Sequence, residues 1–148
     1  MKNLLIGTGL LFALATPAFA DDTLTIPVDF ALARVIKLDV TQSGVAIALD
    51  APIQSIKLTH MRDITFSTLD GVLCETPANC PEGNAPTLLL VQKTKPIPFK
   101  DQLPTPNGTT MLYVNTSRGL YRFQLRPVSK KPDYTKVEFK QSAIYKPL

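Results

Sequence analysis

Tryptophan is absent from this chain of 148 residues, and His60 is its only histidine. A lone imidazole excludes a histidine metal cluster and leaves little from which to build an acid–base catalyst. The seven glycines are too few for a phosphate-cradling loop, and Gly7 and Gly9 fall in the N-terminal segment. Two cysteines, Cys74 and Cys80, cannot by themselves complete a thiolate metal site. No nucleophile-elbow spacing occurs. Beyond the N-terminus, no stretch approaches the roughly 18 to 20 apolar residues of a membrane span. No segment carries a sustained apolar stripe at helical spacing. A dense lysine–arginine cluster is also missing, so nucleic acid is not an expected partner. Neither an enzyme nor a metal or cofactor protein is expected. His60, within Lys57-Leu-Thr-His-Met-Arg-Asp63, reads as part of a surface turn.

The N-terminus is informative. Lys2 gives a positive start, Leu4 to Ala15 is mostly apolar, and Pro17 leads into Ala18-Phe19-Ala20 before Asp21-Asp22. That order reads as a secretory signal peptide over residues 1–20. Residues 21–148 are then expected as one exported, periplasmic domain, large enough for its own core. In an oxidising compartment, Cys-Glu-Thr-Pro-Ala-Asn-Cys is expected to close a disulfide between Cys74 and Cys80. So short a loop contributes roughly 2 kcal/mol.

Charge is unevenly placed along the chain. Residues 21–92 hold four basic residues against nine acids, and residues 118–148 hold eight against two. Complementary fields orient encounter, so this asymmetry suits packing between copies or an acidic partner.

The domain reads as β throughout. Thr23–Val28 alternates polar and apolar residues. Ala33–Val40 groups Val35, Leu38 and Val40, with a change of face at Ile36 that predicts a bulge. Val45–Leu49, Ile53–Leu58 and Asp63–Leu69 follow, and Asp70-Gly71 is a hairpin-type signal. Thr87–Gln92 is a continuous apolar run, which predicts a central strand. Thr109–Thr116 and Leu120–Arg126 form the clearest hairpin, with Tyr121, Phe123 and Leu125 on one face and Arg122, Gln124 and Arg126 on the other. Tyr134–Gln141 is the last strand. The expected fold is all-β: a single β-sandwich or partly open barrel of about eight or nine mostly antiparallel strands.

Three stretches resemble the N-terminal domain of the VirB9/TraK/TrbG family of type IV secretion proteins. Thr25-Ile-Pro-Val-Asp29 with Arg34-Val-Ile-Lys-Leu38 is similar to that domain's opening strands. Ile53-Gln-Ser-Ile-Lys-Leu58 with Asp63-Ile-Thr-Phe66 is similar to its next pair. Leu88 to Pro96, followed by Thr110 to Leu125, is similar to its strand, lysine–proline crossing and Tyr-x-Phe-x-Leu hairpin. The resemblance implies a structural subunit of the outer-membrane core complex of a conjugation or secretion channel. Implied partners are other copies in a ring and other channel subunits, among them a VirB10-like protein and an outer-membrane lipoprotein. The family meets that lipoprotein through a second β-domain, for which the residues up to Leu148 leave no room. The alternative is a stand-alone periplasmic binding module for a glycan, peptide or pilus partner.

The candidate interface residues fall in three groups. Arg118, Tyr121, Arg122, Gln124 and Arg126 belong to the basic hairpin, where arginine forks suit carboxylates. Pro96, Ile97, Pro98 and Phe99 form an extended segment able to dock on a partner. Ile144 and Tyr145 belong to a tail that a neighbour could clasp.

Overall fold

Short alternating segments build nine strands and one short helix in a computed structural model of the protein, which describes residues 22–74, 85–95 and 108–141. The strands are β1 (Thr23–Pro27), β2 (Val35–Val40), β3 (Val45–Ala48), β4 (Ile53–Leu58), β5 (Ile64–Thr68), β6 (Leu88–Lys93), β7 (Thr110–Thr116), β8 (Leu120–Pro127) and β9 (Lys136–Lys140). The helix α1 (Val28–Ala33) joins β1 to β2. Residues 1–20, Cys80, Pro96, Ile97, Pro98, Phe99, Ile144 and Tyr145 lie outside the described residues.

The strands form a five-stranded sheet, ordered β1-β9-β3-β6-β5, and a four-stranded sheet, ordered β2-β8-β7-β4. The architecture is a β-sandwich. Both sheets are mixed. β1 and β3 each run parallel to β9, and β2 runs parallel to β8, while the other four pairings are antiparallel.

The core is the inner face of each sheet. β8 turns Tyr121, Phe123 and Leu125 inward, and β7 adds Leu112 and Val114, all fully buried. Ile47, Leu89, Val91 and Val137 oppose them from the five-stranded sheet. Each such side chain contributes about 1.5–3 kcal/mol by leaving water. Aromatic rings join the layers: Phe139 of β9 lies 4.9 Å from Tyr121 and 6.2 Å from Phe123, centroid to centroid. Such tilted pairs add about 0.5–1.5 kcal/mol beyond their buried area.

Several expectations hold. The β7–β8 hairpin spans the expected strands, β6 is internal to its sheet, and Val137 and Phe139 point inward. Others need correction. β2 alternates cleanly, with Ile36, Leu38 and Val40 buried and Val35 exposed, so the change of face predicted at Ile36 is absent. The register shift lies in β4 instead, between Ile53 and Ser55. Leu69, the end of the strand expected over Asp63–Leu69, is exposed and lies just beyond β5. The helix was not expected: six residues are under two turns, too short to show a 3.6-residue period. Pro27 stands immediately before it with φ −60°, a torsion already suited to a helix start. Val28 and Ala31 bury its inner side as the chain crosses from one sheet to the other.

Two polar devices hold the connections. Gly44 adopts φ +86° in the turn before β3, where a Cβ would lie 2.7 Å from Gln92 Cγ and 2.8 Å from the Val91 carbonyl oxygen. Asp70, beyond β5, accepts from the backbone N–H groups of Thr87 and Leu88 and from the Thr87 hydroxyl. Burial pushes its carboxyl upward, but these hydrogen bonds prevail and hold it below the usual carboxylate range.

Candidate functional site

The outward face of the four-stranded sheet carries the densest set of sequence-predicted residues. Because Tyr121, Phe123 and Leu125 point inward, alternation sends Leu120, Arg122, Gln124 and Arg126 outward. Register then decides their neighbours. On β2, Val35 sits beside Arg122, Lys37 beside Gln124 and Asp39 beside Arg126. On β7, Tyr113 sits beside Arg122 and Met111 beside Gln124. Lys57 of β4 follows beside Tyr113. This face thus presents four cations, Lys37, Lys57, Arg122 and Arg126, against one acid, Asp39.

Most of the predicted polar residues have partners within the chain. Arg126 donates to both carboxylate oxygens of Asp39, at 2.8 and 3.0 Å. Arg122 Nη2 donates to the Ala33 carbonyl at the end of α1, at 3.3 Å. Gln124 Nε2 donates to Thr109 Oγ1 at 3.3 Å. By contrast, Lys37 and Lys57 have no ion-pair partner among the described residues. Val35 and Leu120, 41% and 44% exposed, supply apolar surface beside Arg122.

At one corner the face dips into a depression of about 360 Å³ lined by Lys37, Asp39, Gln124, Arg126 and Tyr134. Tyr134 Oη accepts the Asp39 backbone N–H at 2.8 Å, closing part of the free edge of β2. Burial raises the Tyr134 phenol above its ordinary value.

Tyr121 is a correction. Expected at an interface, it is fully buried, and its hydroxyl donates to Asp50 Oδ1. Burial first, and then the Asp50 carboxylate, raise its phenol well above the ordinary tyrosine value. Arg118, by contrast, is exposed, with its Nε 2.7 Å from Asp50 Oδ2 at the same end of the sandwich. The acidic and basic halves of the sequence are likewise not separate regions of the surface. β2 packs beside β8, and the loop after β3 meets the β7–β8 turn, so Asp39 pairs with Arg126 and Asp50 with Arg118.

The histidine lies on the surface turn. His60 Nδ1 contacts Thr59 Oγ1 at 3.1 Å, and the space beside His60 and Asp63 does not admit a water-sized molecule. Among the described residues, no three His, Cys, Asp or Glu converge as metal ligands, and no helix is long and apolar enough to cross a membrane. Cys74 is half-buried, and its proposed partner Cys80 lies outside the described residues.

Sequence reasoning missed Lys37, Lys57 and Met111 on this face. Alternation exposes them, but only strand register sets them beside the hairpin residues. The chain matches no model of a known protein family, and no curated protein matches it in sequence.

Proposed function

We propose that this protein is a non-enzymatic assembly domain: a periplasmic subunit of a type IV secretion or conjugation outer-membrane core complex, packed in a ring with copies of itself and other channel proteins. The supporting observation is the outward face of the four-stranded sheet. It is strand-built and cationic, with half-buried Tyr113 and Met111 and exposed Val35 and Leu120 beside Arg122. A surface on regular strands is preorganised, which lowers the ordering cost of association. Its opposing surface is acidic, because like charges would repel at the contact. A ring requires a heterologous contact, in which this face meets a different patch of the next subunit.

The leader over residues 1–20 and the Cys74–Cys80 disulfide belong to the same reading. The test is purification from membranes of the native host, with particle size measured for the wild type and for Arg122→Glu with Lys37→Glu. A large assembly that dissociates on charge reversal supports the proposal. A monomer in the soluble periplasmic fraction overturns it in favour of a stand-alone binding module.

A further inference from the structure

We propose that the depression between the end of β6 and the loop after β8 is a binding site for a phosphate-bearing group. This site is separate from the sheet face and does not rest on ring assembly. The depression has a volume of about 340 Å³ and is lined by Gln42, Lys93, Thr94, Lys95, Val128 and Ser129. No carboxylate is among the described residues that line it. Lys93 Nζ donates to Ser129 Oγ at 3.4 Å, which holds the ammonium at the rim beside a hydroxyl. Lys130 and Lys131 follow Ser129, both exposed. The acids nearest in sequence to the lining residues are Asp39, which is paired with Arg126, Asp133 in the loop before β9, and Asp101, which lies outside the described residues; the backbone carbonyl of Asp63 accepts the Thr94 N–H.

Thr94 supplies the second, independent observation. Its Oγ1 is buried and has no hydrogen-bond partner. An orphaned buried hydroxyl is costly, so its neighbourhood favours a ligand with spare acceptors. Lysines act as point charges and hydroxyls as flexible donors, a combination suited to the several oxygens of a phosphate. The lining has no arginine fork, the feature that favours planar carboxylates.

The test titrates the purified protein with pyrophosphate by calorimetry, and with phosphatidylglycerol vesicles against phosphatidylcholine vesicles by flotation. Saturable pyrophosphate binding, weakened about tenfold or more by K93Q with K95Q and unchanged by K140Q at the opposite end, is the expected result. Vesicle binding with the same lysine dependence assigns the phosphate to a lipid headgroup. Pyrophosphate binding without vesicle binding assigns it to a soluble ligand. Amide shifts of Thr94, Lys95 and Ser129 in the wild type on adding pyrophosphate check the location without any substitution. Binding of neither probe, shifts elsewhere only, or equal loss in K140Q overturns the proposal.

Discussion

Arg126 on β8 grips Asp39 on β2 through two hydrogen bonds, although the residues stand 87 positions apart in the chain. The pair converts a charge asymmetry along the sequence into a local neutralisation on the surface. It also separates the two arginines of this face. Arg126 is engaged by a carboxylate, whereas Arg122 meets only a backbone carbonyl.

Arg126→Ala is therefore expected to shift the urea midpoint only slightly, as for an exposed ion pair. Arg122→Glu is expected to leave the urea midpoint nearly unchanged while disrupting assembly. Equilibrium unfolding and light scattering on the two variants separate the roles. Loss of assembly with Arg126→Ala alone would reverse the assignment.

Tyr121→Phe removes the one hydroxyl bonded to Asp50 Oδ1 among the described residues. The expected loss is about 1–3 kcal/mol, because the carboxylate stays half-buried with an acceptor unpaired. Asp50→Ala also releases Arg118. The double variant should fall short of the sum of the single losses, since the three groups share one network. Urea unfolding of the cycle measures that coupling, and strict additivity would disprove the network.

Asp70→Ala is expected to cost about 1 kcal/mol at neutral pH by releasing the Thr87 and Leu88 donors. The carboxyl titrates lower in the folded protein than in the unfolded chain. Its contribution is therefore complete above the unfolded value of about 3.9 and disappears as pH falls through the lower folded value. Stability measured down to about pH 2 should fall more steeply for the wild type than for the variant across that window. Parallel curves would show that Asp70 does not clamp the connection.

Gly44→Ala should destabilise the protein by more than about 1 kcal/mol, through strain at positive φ and the clash of the new Cβ with the β6 backbone. A change in thermal midpoint reports it. Gly108→Ala is a useful contrast: its φ is also positive, at 66°, but no atom of the described residues lies within 4 Å of the added Cβ. A loss at Gly108 equal to that at Gly44 would make torsion alone the cause.

Strands were legible wherever alternation was strict. Tyr121, Phe123 and Leu125 announce the inner face of β8, and Val137 and Phe139 that of β9. The Val35–Val40 strand was legible in extent but not in facing. Val35 and Ile36 are adjacent and equally apolar, so composition cannot tell which is buried; pairing with β8 decides it. The parallel pairings left no local trace because long connections carry no hairpin signal. The surface was hidden for the same reason. Lys37 and Lys57 belong to different stretches of sequence and share a face only after β2, β8, β7 and β4 come into register.

The place of β9 has a consequence for how the molecule comes together. Among the described strands, the first in chain order has a single sheet neighbour, and that neighbour is the last in chain order, β9. A chain emerging from its N-terminus holds Thr23–Pro27 idle until Lys136–Lys140 arrives and slots between β1 and β3. Closure is thus a final stitch by the C-terminal segment. A nascent polypeptide stopped short of residue 136 lacks the one described strand that pairs with β1.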